Sequence, residues 1–294
     1  MRNLIVNADD LGWTLGVNRG IAEAHRNGIV TSTSLLANGF AFEDAVKTAR
    51  DFPRLGVGVH LNLSDGKPMA PAVQVKSLLN ERNDFCGGPE VLLFRLTTKR
   101  LDVNEVEKEW NAQIERVRTE GIHPTHLDGH KHVQMLPGLF GIALRLAKKH
   151  SIEAVRVAHE ASNLRAALSG GAEPTSVLLK QGIQARGLKL LARDAREMAE
   201  RFGVASADFF CGIAQTGVLT KKGVLQLIAS LPEGTTELMC HPGYSDAVLR
   251  TTATRLQASR QTELEILTDQ EIRKTVAALG IRLINYEQIG ASIT

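Results

Sequence analysis

Carboxylate and imidazole side chains stand at or near the ends of three apolar runs of this sequence. They belong to Asp9 and Asp10, to His60 and to His241. Two adjacent carboxylates repel each other unless a cation or a proton is near, so the acidic pair is a candidate cation ligand. Each residue also has an ordinary structural explanation: Asp10 could cap a helix, His60 could be a paired core histidine, and His241 could belong to a plain turn. None of the four identifies a site alone.

The segment 126–132, which reads HLDGHKH, gives a fourth signal. Alternate residues of an extended chain share one face, so we expect His126, Asp128, His130 and His132 to point the same way. So dense a polar face is unlike ordinary core, because each buried polar group needs a partner. This segment is the best single candidate for a metal site.

The elements that must position these residues alternate along the chain. Helical patterns separate short apolar runs that are typical of strands, at about 4–8, 29–37, 55–63, 123–130, 154–159, 209–213, 236–241 and 281–286. Such alternation predicts a mostly parallel sheet covered by helices. We predict an α/β fold, a distorted (β/α) TIM-like barrel of about seven parallel strands. An open, doubly wound sheet is the rival.

The candidate residues all fall at the ends of these predicted strands. In β/α barrels the carboxyl ends of the strands form the rim where enzymes keep their chemistry. Two histidines and one carboxylate can hold a metal there and leave coordination positions open for water and substrate. The sequence has no GxSxG, GxxxxGK[ST] or HExxH motif, so other common hydrolase and nucleotide sites are not indicated.

Composition sets further bounds. The 294 residues suit one domain spanning 1–294, with insertions at about 64–100 and 160–207. A net charge of +3 argues against nucleic acid as a partner. Three cysteines without a CxxC pair indicate a reducing compartment. Since we find neither a secretory signal nor an apolar run near the ~18 residues of a membrane span, we expect a cytoplasmic protein.

Four stretches together resemble the YdjC-type family of carbohydrate deacetylases. They are residues 5–12 (IVNADDLG), 28–34 (GIVTSTS), 58–61 (GVHL) and 124–133 (PTHLDGHKHV), and the late HPG at 241–243 agrees. The resemblance spans the chain. It implies a distorted β/α barrel related to the polysaccharide deacetylases, and an enzyme that removes the N-acetyl group from an N-acetylglucosamine-type sugar.

The resemblance also implies roles for the candidate residues. Asp10, His60 and His130 correspond to metal ligands, Asp9 to the catalytic base, and His241 to the general acid. Mg²⁺ is the ion usually assigned to the family, but two imidazoles suit Zn²⁺ or another transition ion better, so the metal stays open. The sequence does not show how Asp9 and Asp10 both reach one site, because neighbouring residues of a strand point to opposite faces.

Three further residues are candidates for supporting roles. Arg156, late in a predicted strand, could orient Asp9 or the substrate, or could form a surface ion pair. Asp128 and His126 could hold the tautomers of ligand histidines.

The middle insertion bears on the substrate. It is most similar, over about 174–217, to the branch of the family associated with hopanoid biosynthesis, which implies a glycolipid headgroup as substrate. Residues 165–201 carry seven basic and four acidic side chains among leucines. Such a segment could contact the inner membrane face peripherally, or could pack on the barrel with a solvated basic side. The family also suggests a homodimer.

Three alternatives remain at this point. The enzyme could act on soluble chitooligosaccharides instead of a glycolipid. The protein could bind a metal or a sugar without turnover, although the presence of both Asp9 and His241 argues against that. It could also hydrolyse phosphoesters, a reaction that normally uses more carboxylates or a second metal.

Overall fold

A computed structural model describes residues 1–168, 194–252 and 254–290 of the chain. Eight strands form one sheet, and every pairing within it is parallel. The strands are β1 (Arg2–Leu11), β2 (Ser32–Leu35), β3 (Gly56–Leu61), β4 (His126–Gly129), β5 (Ala154–Val155), β6 (Phe209–Cys211), β7 (Gly234–Cys240) and β8 (Arg282–Leu283). Each begins within a few residues of a predicted strand.

The sheet curls into a barrel of seven strands. Its order is β5-β4-β3-β2-β1-β7-β6, with the short β8 added beside the start of β1. Isolated parallel bridges connect the two ends of that order: Ala154 of β5 pairs with Ala205, before β6, and Glu160, after β5, pairs with Phe210 of β6. The prediction of a distorted (β/α) barrel with about seven parallel strands is confirmed, and the open doubly wound sheet is wrong.

Helices cover the outside of the barrel between strands. They span Leu15–Asn27, Phe42–Asp51, Pro89–Thr97, Val103–Thr119, Leu139–Lys149, Ser162–Leu168, Lys221–Ser230, Ala247–Thr251, Ala258–Leu267, Gln270–Ala278 and Glu287–Gly290, and residues 194–202 are also helical. Shorter 3-10 turns lie at Ala72–Gln74, Lys76–Leu78 and His130–Met135. None of the helices in these described ranges is long and apolar enough to cross a membrane.

Alternation along β1 separates the core from the barrel interior. Leu4, Val6 and Ala8 belong to the large apolar core under the helices. Ile5 belongs to a second, smaller cluster, together with Ala154, Ala205, Ile284 and Tyr286. Since residues two apart share a strand face, Asn7 and Asp9 follow Ile5 on the inner side, toward the carboxyl end of the strand. The inner side of β1 therefore changes from an apolar residue to polar ones toward the rim.

The helix that follows β1 packs closely against the segment after β7. A Cβ built on Gly20 would lie 2.4 Å from the Cα of Gly243, two residues beyond His241. Only glycine allows backbones to approach so closely. The contact helps to fix the loop that carries His241.

We expect Gly20→Ala to lower the free energy of unfolding by about 1–3 kcal/mol, because the new methyl group meets backbone rather than a flexible side chain. Gly141→Ala is the matched control. Gly141 is also in a helix, but its Cβ would meet nothing nearer than Met198 Sδ at 3.7 Å, so the gain in helix propensity should stabilise that variant slightly. Urea unfolding measures both, and a Gly20→Ala protein as stable as wild type would contradict the packing argument.

Candidate metal and proton-transfer site

An irregular end of β1 brings two neighbouring carboxylates to one place. The pairing of β1 with β2 shifts register between Ala8 and Leu11. Asp10 has a left-handed φ of 74°, a conformation that aspartate tolerates better than most residues, and Gly12 follows with φ 92°. The backbone N–H of Trp13 donates to the Asp10 carbonyl over 3.0 Å and completes the turn. This departure from the strand resolves how Asp9 and Asp10 both reach the site.

Asp10, His60 and His130 converge at the rim of the barrel. Asp10 Oδ1 lies 3.6 Å from His60 Nε2 and 3.0 Å from His130 Nδ1. All three side chains are buried, and their ligand atoms lie within 4.8 Å of one another. The buried Asp10 Oδ1 accepts no well-aligned hydrogen bond from any residue that the structure describes. An oxygen and two nitrogens so arranged can hold a metal ion.

In both His60 and His130, the ring nitrogen that is not directed at Asp10 lies close to another carboxylate. His60 Nδ1 lies 2.8 Å from Asp128 Oδ1, and His130 Nε2 lies 3.2 Å from Asp65 Oδ2. Histidine ligands of metals usually have such a partner, which fixes the ring orientation and the tautomer. The other oxygen of Asp10 accepts a hydrogen bond from Arg260. The donor set and its surroundings therefore fit a divalent cation.

A second group of potential ligands fits an ion less well. Asp9, His60 and Asp128 also lie close enough to share one. Arg156, however, binds both oxygens of Asp9 and one of Asp128 at 2.7–2.8 Å. A guanidinium already neutralises these two carboxylates, so the group around Asp10 is the better candidate.

The charge state of His130 follows from its neighbours. Burial on its own lowers the pKa of this imidazole, but the carboxylates of Asp10 and Asp65 outweigh that effect and raise it to about 9. His130 is therefore charged at neutral pH in the metal-free protein. A metal that binds through Nδ1 must displace a proton.

Asp9 lies in a dense network of charges inside the barrel. Although burial alone would raise the pKa of its carboxyl, the Arg156 guanidinium holds it below the ordinary value. Asn7 donates to Asp9 Oδ1 over 2.8 Å, and Asp9 Oδ2 lies 4.0 Å from His60 Nε2. Asp9 is thus ionised and fixed in orientation beside the candidate metal ligands.

His241 completes the set of buried groups at the rim. Its backbone N–H donates to Glu263 over 2.6 Å, and its Nδ1 has no hydrogen-bond partner in the described part of the chain. Burial lowers the pKa of the imidazole to about 4, with Asp9 and Asp10 acting in the opposite direction. A neutral imidazole with a free nitrogen can take up and deliver a proton.

The expectation that four side chains of segment 126–132 share one face is wrong. β4 ends at Gly129, and Lys131 and His132 adopt left-handed φ values of 53° and 58°. His126 stacks on Tyr286 with ring centroids 3.9 Å apart, and His132 meets Phe210 edge-on. His126 and Asp128 keep the alternation of β4, since both contact Ser34 Oγ, at 3.4 and 2.7 Å. Of these two, Asp128 meets the candidate ligand His60, whereas His126 Nδ1 meets Thr125.

Sequence reasoning missed four charged residues: Asp65, Glu237, Arg260 and Glu263. Arg260 and Glu263 are buried in the helix Ala258–Leu267, on the side that also buries Leu264 and Leu267. Ionisable residues at apolar positions of a helix are a signal that the sequence offered. Asp65 and Glu237 carried no comparable signal, because partners distant in the chain define their environments.

Comparisons with known proteins identify the family of this chain. Residues 3–278 match the family described as YdjC-like protein. The chain is 34% identical over 288 residues to a carbohydrate deacetylase of Geobacillus stearothermophilus, covering 98% of each. It is 32% identical over 285 residues to a chitooligosaccharide deacetylase of Salmonella paratyphi B, covering 96% of each.

A solved structure shares the fold. It comes from Enterococcus faecalis V583 and is described as a candidate cellobiose-phosphate cleavage protein. The TM-score is 0.76 at 30% identity, with 98% of both chains covered. The barrel, the buried aspartate–histidine group at its rim and these matches together place the chain in the YdjC-like family.

Proposed function

We propose that this protein is a metal-dependent hydrolase that removes the N-acetyl group from an N-acetylglucosamine-type sugar. The observation that carries the proposal is the approach of Asp10 Oδ1 to both His60 Nε2 and His130 Nδ1, beside the separate carboxylate of Asp9. Relatives that cover nearly the whole chain are named carbohydrate or chitooligosaccharide deacetylases, which supports this reaction over phosphoester hydrolysis and over binding without turnover.

Amide hydrolysis has two difficulties, because water is a poor nucleophile and an amine anion is a poor leaving group. A divalent ion held by Asp10, His60 and His130 would polarise the acetyl carbonyl and make water more acidic. Asp9 removes the proton of the attacking water. Arg156 keeps Asp9 ionised and oriented for this step. His241 delivers a proton to the departing sugar nitrogen.

The environment of His241 shapes its part in the reaction. With a pKa held at about 4 by burial, the imidazole is neutral at pH 7 and must first receive the proton that it delivers, which is the one that Asp9 removes from the attacking water. Negative charge that develops on the substrate beside it favours this uptake. Once protonated, a weakly basic imidazole is a strong acid toward the leaving nitrogen.

The identity of the metal and the rest of the substrate are finer points of the proposal. The family implies Mg²⁺, whereas two imidazoles and one carboxylate suit Zn²⁺ or another transition ion. We propose a glycolipid headgroup, of the hopanoid type, as the substrate and soluble chitooligosaccharides as the alternative. Most of the basic segment 165–201, for which peripheral membrane contact and packing on the barrel were the two alternatives, lies outside the described residues. The single-domain boundary, the cytoplasmic location and the homodimer stay predictions.

The substrate is tested by incubating the protein with N-acetylglucosamine compounds that differ in what the sugar carries. We expect mass spectrometry to detect acetyl replaced by hydrogen, and a chelator to abolish the change. Turnover of a glycolipid but not of diacetylchitobiose supports the first substrate, and the reverse supports the alternative. Absence of deacetylation from every N-acetyl sugar, with the metal bound, would contradict the proposal.

Asp9→Asn is expected to retain the metal and to lose turnover. The substitution leaves the three proposed ligands in place but removes the base, so kcat should fall by about 10²–10⁴-fold. Metal analysis and steady-state kinetics measure the two effects. Asp51→Asn, the same change at an exposed helix end, is the control. A metal-free Asp9→Asn protein would show that Asp9 is a ligand instead.

Metal binding should release a proton from His130. Because the pKa of this imidazole is raised to about 9, the proton competes with the metal below that pH, and apparent affinity should rise as pH increases toward it. Calorimetric titration with Mg²⁺ in buffers of different ionisation enthalpy counts the protons released. We expect about one proton from His130 at neutral pH and fewer above pH 9. Affinity that does not change over this range would rule out His130 as a ligand.

A further inference from the structure

Residues 282–286, which follow the range matched by the family, enter the barrel. The matched range ends at residue 278, whereas β8 and Tyr286 follow it. Tyr286 is nonetheless fully buried, in the cluster with Ile5 and Ile284 at the barrel floor. Its backbone N–H donates to Ser32 Oγ over 3.3 Å. The C-terminal segment is therefore an integral part of the barrel interior.

The hydroxyl of Tyr286 is hydrogen-bonded to a carboxylate that has no role in the proposed mechanism. It donates to Glu237 Oε2. Glu237 lies on β7 and is buried. Its other oxygen, Oε1, accepts a hydrogen bond from Arg156 Nε over 2.8 Å and forms an ion pair with Arg156 Nη2 at 2.7 Å. One side of Glu237 thus faces the C-terminal segment and the other faces Arg156.

Arg156 is saturated by carboxylates. Its Nη1 contacts Asp9 Oδ2 at 2.8 Å and Asp128 Oδ2 at 2.7 Å, and its Nη2 contacts Asp9 Oδ1 at 2.7 Å in addition to Glu237. With the contact from Nε, all three nitrogens of the guanidinium lie within 2.8 Å of carboxylate oxygens, and each of them donates at least one hydrogen bond. Since the group is planar, fixing the Nε edge against Glu237 also fixes the direction in which Nη1 and Nη2 meet Asp9 and Asp128.

We propose that Tyr286 and Glu237 are positioning residues of the active site, which hold the Arg156 guanidinium in the plane where it bridges Asp9 to Asp128. Asp128 in turn bonds His60 Nδ1 at 2.8 Å. Arg156 therefore aligns the proposed base, Asp9, with Asp128, the partner of a proposed metal ligand. Tyr286, through Glu237, fixes the orientation of Arg156. The catalytic consequence rests on the proposed function, whereas the alignment itself does not.

The first test is kinetic and uses Tyr286→Phe, which removes one hydroxyl and keeps the ring stacked on His126. We expect kcat to fall by about 10–100-fold, the range typical of partners behind the reacting groups, with KM and metal affinity nearly unchanged. Tyr244→Phe is the matched control, because Tyr244 also donates to a glutamate, Glu23, but outside this network. Its kinetic constants should stay within about twofold of wild type, because the substitution removes only a hydroxyl that contacts none of Asp9, Arg156 and Glu237.

A double-mutant cycle tests whether Tyr286 acts through Arg156. In an Arg156→Lys background the planar fork is gone, so adding Tyr286→Phe should cost little more in kcat. A second cycle combines Glu237→Gln, which keeps the shape of the side chain and removes its charge, with Arg156→Lys. Additive effects in the folded double variant would overturn the positioning role.

A readout without turnover separates this inference from the proposed function. Arg156 Nε–H, held by Glu237 in the barrel, should give a slowly exchanging ¹H–¹⁵N signal in the metal-free protein, identified by its loss in Arg156→Lys. We expect its exchange to accelerate at least about tenfold in Tyr286→Phe and to stay unchanged in Tyr244→Phe. Unchanged exchange in Tyr286→Phe would refute the alignment. A changed signal in a protein that deacetylates nothing would refute only the proposed function.

Discussion

The barrel of this protein buries four carboxylates near one another, and the site depends on how their charge is balanced. Asp9, Asp10, Asp128 and Glu237 are all buried, and the two arginines that meet them, Arg156 and Arg260, are buried as well. Unpaired buried charge costs several kcal/mol, so such a cluster persists only when each charge has partners. Arg156 neutralises Asp9, Asp128 and Glu237, and Arg260 pairs with one oxygen of Asp10. The other oxygen of Asp10 is left directed at His60 and His130.

This balance explains why Asp9 and Asp10, though adjacent, differ in character. Asp9 has both oxygens bound by Arg156, and its inward direction continues the alternation of β1. Asp10 leaves that alternation through a left-handed turn and meets Arg260 with one oxygen only. The same local irregularity supplies two different carboxylates: Asp9, which Arg156 neutralises, and Asp10, which has one oxygen that could coordinate a metal ion. Barrel enzymes commonly obtain their chemistry from such departures at strand ends.

The sequence predicted the barrel and most of the candidate site because both depend on local patterns. Apolar runs of strand length and motifs at strand ends placed Asp10, His60 and His130 at one rim, where the structure brings them together. The direction of His132 could not be predicted in that way, because β4 ends at Gly129 and the left-handed turn at Lys131 and His132 ends the alternation. Asp65, Glu237 and Tyr286 lay beyond prediction for another reason, because their roles come from contacts across the barrel.

Family membership and site geometry support different conclusions about this protein. The relatives support the reaction class, and the distances support the division of labour among the side chains. The long insertion supports neither the reaction class nor the roles of the side chains, because residues 169–193 are not described. Within the described chain, the arrangement from Tyr286 through Arg156 to His60 links the barrel floor to the rim.

The central claim is that one cation binds between Asp10, His60 and His130. Anomalous diffraction from crystals soaked with Zn²⁺ or Mn²⁺ and recorded at the absorption edge of the metal tests it directly. The account predicts a single strong peak at about 2.0–2.2 Å from Asp10 Oδ1, His60 Nε2 and His130 Nδ1. A peak bound elsewhere, or no peak in crystals whose protein deacetylates its substrate, would contradict it.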